Sequence, residues 1–269
     1  MITRNIKEQM PQLELSTKKE KIEKEKFEPK IIFDFIRHGQ AEYGTDIAEK
    51  MSSMGYEFKD YLPTSKISDK EMTKREIWEG RITTEGRKQL EQVVDRFIKK
   101  IDKDKEVLII LSGPRFRQEQ SGEIILNELE KNNINVFKAR EHKDLVDSKK
   151  HWISILEFVK DKTKKDDSPW QYWLKMSENE LKEADLEGFN DIGKRMDHFM
   201  RLLKRYAQRY QKQLGLDKKV LRIISSTSDI NILSLLQKDK LSDLEQEVIK
   251  NAEIVELGVD EDGEVKLIT

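Results

Sequence analysis

The sequence predicts an α/β protein in which a mostly parallel sheet lies between two layers of helices. Short apolar runs alternate with amphipathic segments along most of the chain, and three of these runs end in polar turns. Strands that alternate with helices are typical of parallel sheets covered on both faces. We therefore expect a three-layer α/β/α sandwich with a mostly parallel central sheet and a helical and loop insertion that forms a lid.

The composition is that of a highly charged protein with an adequate core. The 269 residues suit one domain with insertions, and hydrophobic residues make up 36% of them. The 51 basic and 52 acidic side chains give a formal net charge of -1. This balance provides no overall field to attract nucleic acid or an anionic membrane, so we expect neither partner. The absence of cysteine excludes disulfides, thiolate nucleophiles and cysteine-based zinc sites.

The ends of the chain and its apolar runs indicate a soluble, cytoplasmic protein. No apolar run reaches the roughly 18 residues of a membrane-spanning helix. Residues 1–26 lack the apolar stretch of a signal peptide. Residues 1–29 are polar and end in a charge run, which indicates a solvated tail. We therefore place the folded domain at residues 30–269.

The first predicted strand, Ile31–Ile36, leads directly into the polar turn Arg37-His38-Gly39-Gln40. Residues 41–80 show no clear period, and a long insertion of this kind is usually a lid. A helix then begins near Thr83 or Thr84, either of which is a suitable cap. Its apolar residues recur at spacings of three and four: Leu90, Val93, Val94, Phe97, Ile98 and Ile101.

The remaining elements continue the alternation. Strands are predicted at Val107–Leu111, Ile134–Phe137 and Val220–Ser225, and a hairpin at Glu253–Leu257 and Glu264–Ile268. Helices are predicted from 116 to about Leu129, and at Trp152–Val159, Trp170–Met176, Asp191–Gln211 and Ile230–Leu236. Residues 148–190 form a second predicted lid segment, although aromatic residues such as Trp170 and Trp173 usually indicate helix packing.

Three polar turns follow strands of this sheet, after Ile36, Leu111 and Ile224. In open α/β sheets ligands bind beyond the carboxyl ends of the strands, so these turns are expected to meet at one crevice. The first turn brings Arg37 and His38. An arginine fork suits phosphate oxygens, and a histidine can accept a phosphoryl group. The pair therefore points to phosphoryl chemistry.

Three segments, in order, resemble the histidine phosphatase superfamily, also called phosphoglycerate mutase-like. Phe35–Glu42 resembles the family signature around Arg-His-Gly, and Ile82–Gln89 resembles its Leu-Thr-x-x-Gly-x-x-Gln segment. Ser112–Gly122 resembles its Ser-Ser-Pro-x-x-Arg-Ala-x-Gln-Thr-Ala segment and places a second arginine at Arg117. Order and spacing fit over roughly residues 30–260.

The resemblance implies a role for each residue of the motifs. His38 would be the nucleophile that forms a phosphohistidine, and Arg37 and Arg117 would hold the phosphate. Backbone N–H groups near Gly39 and Phe116 would assist at helix N-termini. The family needs no cofactor, and we expect none and no metal.

The family's proton donor is an acidic residue in a Leu-x-Glu setting after the next strand. Leu145-Val146-Asp147 is the best match, which makes Asp147 the candidate general acid. Glu141 and Asp144 are nearby competitors. Leu186–Asp191 resembles the stretch before the family's long helix, and Glu187 lies too far along the chain to be the proton donor.

The sequence departs from the family pattern at the second histidine, and this leaves two functional hypotheses open. A second histidine normally follows a late strand, but the matching segment, Leu221–Ile230, contains none. One alignment places Thr227 at that position, and a shift by one residue places Ser226 there. A hydroxyl still donates a hydrogen bond to phosphate but supplies no positive charge, and losing a charged donor costs roughly 10²–10³ in rate.

The chain is therefore either a phosphate-monoester hydrolase acting through His38, slow or specialised, or a catalytically inactive pseudophosphatase that binds a phosphorylated ligand or protein. A purely structural role is a third class. The expected partner is a phosphorylated small molecule or a phosphoprotein, with substrate choice set in residues 41–80 and 148–190. Basic residues there, Lys66, Lys70, Lys74 and Arg75, either contact an anionic substrate or form a solvated face. The sequence does not indicate an oligomeric state.

Overall fold

The architecture is taken from a computed structural model of the chain. It describes residues 27–45, 47, 49–50, 61–63, 72–138, 141–146, 148, 150, 152–160, 162, 169–213, 215, 219–238, 241 and 249–268. Three of the predicted features, the tail at residues 1–26, the candidate acid Asp147 and the basic pair Lys66 and Lys70, lie outside the described residues.

The described strands form a central six-stranded sheet and a small three-stranded one. They are β1 Ile31–Arg37, β2 Ala41–Tyr43, β3 Tyr61–Pro63, β4 Arg81–Ile82, β5 Glu106–Ser112, β6 Val136–Lys138, β7 Val220–Thr227, β8 Ile254–Val259 and β9 Val265–Leu267. The central order is β6-β5-β7-β1-β8-β9. The first four of these strands run parallel, whereas β8 and β9 are antiparallel to their neighbours. The mostly parallel sheet and the terminal hairpin are therefore confirmed.

Helices cover both faces of the central sheet. They are α1 Lys74–Glu79, α2 Thr84–Ile98, α3 Phe116–Lys131, α4 Trp152–Lys160, α5 Pro169–Lys175, α6 Glu178–Glu183, α7 Phe189–Gln213 and α8 Asp229–Lys238, with a 3-10 helix at Lys143–Leu145. Side chains alternate along β1, so Phe33 and Phe35 pack with α7 and α8, whereas Ile36 packs with α2 and α3. The three-layer sandwich is confirmed, and none of the described helices is both long and apolar enough to cross a bilayer.

The described parts of the two predicted lid segments differ in their packing. Within residues 41–80, β2 pairs with β3 and β4, and α1 begins with a capping box formed by Thr73 and Glu76. Within residues 148–190, α4, α5 and the start of α7 bury Ile155, Trp173 and Phe189 in the core on the β1 face. The packing interpretation of the aromatic segment therefore holds for Trp173, which has 1% of its surface exposed.

A group of charged residues lies inside the sheet on the α2 and α3 face. Arg222 on β7 contacts Asp34 at 3.0 Å, Glu106 at 2.5 Å and Glu256 at 3.5 Å. Its guanidinium also stacks 5.2 Å from the centre of the Phe97 ring. Burial raises the pKa of Asp34 from 3.8 to about 7, against the opposing attraction of Arg222. Arg222 thus faces three carboxylates in the core, of which Glu256 also contacts Lys100, and burying these charges costs desolvation energy.

We predict that Asp34→Asn changes how the free energy of unfolding depends on pH. The folded-state pKa of Asp34 lies above its unfolded value, so its contribution is complete below about pH 4 and is lost as pH rises through 7. The variant should match the wild type near pH 3.5 and exceed it near pH 8 by up to about 4 kcal/mol. Urea unfolding of both proteins at each pH measures this. A less stable variant at pH 8 would contradict it.

Candidate active site

The three polar turns meet at one edge of the central sheet, as the sequence predicts. Arg37, the last residue of β1, pairs with Thr227 of β7. Ser112, the last residue of β5, pairs with Ser226 of the same strand. Because these strands are parallel, the residues that follow them emerge side by side. The edge therefore holds His38, the segment leading to Arg117, and Asp229.

His38 is fixed by its backbone and by both ring nitrogens. Its N–H donates to the Thr227 carbonyl at 3.0 Å, and only 1% of its surface is exposed. Nδ1 lies 2.9 Å from the Gly39 carbonyl oxygen, and Nε2 lies 3.0 Å from Nε of Arg117. These contacts fit a neutral imidazole that donates from Nδ1 and accepts at Nε2. The electron pair on Nε2, the atom that a nucleophilic histidine would use, therefore accepts the hydrogen bond from Arg117.

Arg117, in the first turn of α3, is brought to His38 as the resemblance implies. Besides its contact with His38, it donates from Nη1 to the Glu79 carbonyl at 2.7 Å. Its guanidinium lies 5.8 Å from the centre of the Tyr43 ring, and the residue is 3% exposed. Arg117 is therefore enclosed between His38, the end of α1 and β2.

Arg37 lies at the same edge but on the other face of β1. It donates from Nη1 to the Ile249 carbonyl and forms an ion pair from Nη2 to the Asp229 carboxylate at 3.4 Å. The arginine side chain is 3% exposed and that of Asp229 is 31% exposed. The turn before β8 closes around the strand end, since the N–H of Ala252 donates to the Arg37 carbonyl at 3.1 Å.

The loop after β1 rests directly on the start of α2. A Cβ atom added to Gly86 would lie 2.1 Å from the Gln40 carbonyl oxygen, and one added to Gly39 would lie 2.5 Å from the Gly86 carbonyl oxygen. Only glycine permits this backbone approach. Thr83 caps the helix, donating to the Gln40 side chain and accepting from the Gly86 N–H. The motif around Gly86 therefore positions the turn His38-Gly39-Gln40.

The two hydroxyl candidates for the missing histidine have different surroundings. The Thr227 hydroxyl donates to the Leu145 carbonyl at 3.0 Å and accepts from the Asn231 side chain at 2.6 Å. The Ser226 hydroxyl is buried without a hydrogen-bond partner among the described residues. Ser226 pairs with Ile36, two residues before His38, so Ser226 shares the face of the sheet on which His38 lies.

The loop that carries the candidate acid is anchored from α7. Arg195 donates to the carbonyls of Asp144 and Val146, the latter at 2.8 Å. Glu187 holds this arginine by two hydrogen bonds of 3.0 and 3.1 Å. Asp147 itself lies outside the described residues. The sequence analysis missed the ion pair between Glu187 and Arg195. Its only signal in the sequence is that Glu187 precedes the helix and that Arg195 follows Glu187 by eight residues.

Two further titratable residues near the candidate acid in the sequence, Glu141 and His142, have shifted pKa values. Partial burial and a hydrogen bond to Glu119 raise the pKa of Glu141, whereas burial lowers the pKa of His142. His142 packs edge-on against Phe199 with ring centroids 4.7 Å apart. In the part of the chain that the structure describes, no group of three or more His, Asp or Glu residues is placed to hold a metal ion.

Solved structures resemble this architecture over most of its length. A mycobacterial glucosyl-3-phosphoglycerate phosphatase aligns with 88% of this chain and 96% of its own, at a TM-score of 0.53 and 12% identity. A phosphoglycerate mutase from Bacillus anthracis str. Sterne aligns with 89% and 92%, at 0.53 and 12%. A protein described as mycobacterial hydrolase 2 aligns with 89% of both chains, at 0.55 and 12%.

This chain has the histidine phosphatase fold. No family model and no curated protein sequence matches it. At 12% identity the likeness to the phosphatase and the mutase establishes the fold alone. The fold expected from the resemblance is confirmed, and in this histidine phosphatase fold His38, Arg37 and Arg117 come to the same edge of the sheet.

We predict that Thr227→Val and Ser226→Ala have different effects on stability. The valine removes a donor to a buried carbonyl and a partner of Asn231, which should lower the free energy of unfolding by about 1–3 kcal/mol. The alanine removes a hydroxyl that makes no hydrogen bond, so stability should change by less than about 0.5 kcal/mol. Thermal and urea unfolding measure both. An equal loss in the two variants would contradict the assignment of the hydroxyls.

Proposed function

We propose that this protein is a phosphate-monoester hydrolase that acts through a phosphohistidine on His38. The observation that carries the proposal is the 3.0 Å contact between Nε of Arg117 and Nε2 of His38, because it sets a cation beside the Nε2 electron pair, which attacks phosphorus once Arg117 turns its N–H groups to the phosphoryl oxygens. The phosphatase and mutase that share the fold support the reaction class. The substrate is a phosphorylated small molecule or a phosphoprotein.

The reaction proceeds in two displacements at phosphorus. In the first, Nε2 of His38 attacks, the N–P bond forms and the P–O bond to the leaving group breaks. In the second, water attacks phosphorus, a P–O bond forms and the N–P bond breaks. The proton of the water passes to the carboxylate that protonated the leaving group, and inorganic phosphate and the imidazole are released. Arg117 and Arg37 neutralise the charge on the phosphoryl oxygens, and the Ser226 hydroxyl donates a neutral hydrogen bond. The hydroxyl adds no charge, which makes the hydrolase slow.

Asp147 protonates the leaving oxygen in this proposal. The support comes from its neighbours, since the Leu145 carbonyl accepts hydrogen bonds from Thr227 and Asn231 at 3.0 and 2.7 Å. Arg195 and Glu187 hold the same loop from the other side. These contacts hold Leu145 and Val146, the two residues that precede Asp147 in the sequence, beside the end of β7.

The alternative is a pseudophosphatase that binds a phosphorylated ligand without turnover. The observation that favours it is the lack of histidine in β7 and the turn after it, together with the contact of Arg37 with Asp229. Both functions require Arg37 and Arg117 for binding. They differ only in whether His38 becomes phosphorylated.

We predict that His38→Ala abolishes hydrolysis of p-nitrophenyl phosphate measured without added metal. The alanine removes the attacking nitrogen, so turnover should fall by at least about 10³-fold. His198→Ala is the matched control. His198 is an exposed residue of α7, and the variant should keep wild-type turnover. Trapping of a phosphorylated intermediate by acid quench identifies the modified residue. Wild-type turnover no higher than that of the alanine variant would leave the pseudophosphatase alternative.

We predict that Asp147→Asn and Arg195→Met slow alkyl phosphates more than p-nitrophenyl phosphate. A sugar alkoxide needs a proton to leave, whereas p-nitrophenolate is a stable anion. The ratio of kcat for the two substrates should shift by at least about tenfold in each variant. Steady-state kinetics on p-nitrophenyl phosphate and a panel of sugar phosphates measure this. Equal loss on all of these substrates would exclude a proton-donor role for this loop.

A further inference from the structure

Several groups that the proposed function assigns to phosphate already bind acceptors from the protein itself. Arg37 contacts the Asp229 carboxylate, and Arg117 donates to the Glu79 carbonyl. The N–H of Phe116, at the start of α3, donates to the Glu79 carboxylate at 2.8 Å. The N–H of Gly39 donates to the Ser121 hydroxyl at 3.3 Å. Two of these acceptors carry negative charge.

Asp229 is held in place by its position at the start of α8. Its Oδ1 accepts from the N–H of Ile230 at 3.0 Å, which leaves Oδ2 directed at Nη2 of Arg37. The arginine side chain is 3% exposed, so solvent screens the pair weakly. A carboxylate in the first turn of a helix is also favoured by the helix dipole. The ion pair between Arg37 and Asp229 is therefore held by the positions of both side chains at the strand end.

Glu79 holds the start of α3 in a similar way. One carboxylate oxygen accepts both from the Phe116 N–H at 2.8 Å and from Nε of Arg75 at 2.8 Å. Arg75 is in turn bound to Glu119 and to the Pro114 carbonyl. Helix N-termini bind anions such as phosphate, and here an anion of the chain itself occupies that position. The backbone carbonyl of the same residue covers Arg117.

We propose that Asp229 and Glu79 are internal anions that keep the phosphate site self-occupied, so that a phosphoryl group binds only by displacing the Asp229 carboxylate from Arg37. The inference rests on the proposed function insofar as the site is one for phosphate. It makes Asp229 a specificity-determining residue. Inorganic phosphate alone binds weakly, and a ligand binds well only when the rest of its structure contributes contacts.

Replacing the Asp229 carboxylate by its neutral amide distinguishes the effect of its charge from the effect of its size. Asp229→Asn keeps an oxygen for the Ile230 N–H but removes the negative charge that competes for Arg37. We expect it to bind inorganic phosphate and tungstate at least tenfold more tightly than the wild type, measured by isothermal titration calorimetry. Glu79→Gln should bind both more tightly by a smaller factor, because the Glu79 carboxylate contacts the Phe116 N–H and Arg75 and not Arg37.

Two controls accompany this titration. Asp191→Asn removes the same charge from the first turn of α7, where the carboxylate pairs with Lys194, and should leave affinity unchanged. Arg37→Gln combined with Asp229→Asn should lose the gain, which ties it to this arginine. Asp229→Ser is a second variant without the charge, used if the asparagine variant does not fold.

The outcomes separate this inference from the proposed hydrolase. Unchanged or weaker phosphate binding by a folded Asp229→Asn or Asp229→Ser variant overturns the internal-anion role, whatever the turnover of the wild type. Tighter binding supports it even when no variant hydrolyses p-nitrophenyl phosphate, because binding is measured without chemistry. An equal gain in Asp191→Asn would also overturn it, since the effect would then come from net charge.

Discussion

The parallel pairing of β1 with β7 is the constraint on which the candidate site depends. It sets Arg37 opposite Thr227 and directs the N–H of His38 to the Thr227 carbonyl. The position of His38 is thus fixed by main-chain hydrogen bonds, which do not depend on the side chains of β7. This explains how the strand ends keep their arrangement although the segment Leu221–Ile230 contains no histidine.

The second constraint is the close backbone contact that two glycines permit, because neither has a Cβ atom that would clash. The approach of Gly39 and Gly86 brings the turn after β1 against the first turn of α2. In the same region α1 and β4 cover Arg117 with the Glu79 carbonyl. Arg117 is therefore covered by the end of α1, and Arg75 joins α1 to α3 through Glu119 and to the Pro114 carbonyl.

Much of the fold was predictable because its strands and helices are long enough to show a period. The run Ile31–Ile36 and the helix residues from Leu90 to Phe97 are buried as the sequence pattern predicts. The small sheet was missed, since strands of two or three residues carry no period. The meeting of His38 with Arg117 followed from the motifs. The pairing of Arg37 with Asp229 did not, because it is a contact between chain segments 192 positions apart.

The buried charges around Arg222 have a consequence for the folding of the sheet. Parallel strands rich in isoleucine and valine can pair in several alignments of similar apolar burial. A slip of β7 by one residue would turn Arg222 away from Asp34, Glu106 and Glu256 and toward the phenylalanines on the opposite face. That arrangement leaves Arg222, Asp34 and Glu106 without these partners, whereas Glu256 keeps its contact with Lys100. The ionic cluster therefore favours the observed register of β7. The same register sets Arg37 opposite Thr227 and so determines where His38 lies.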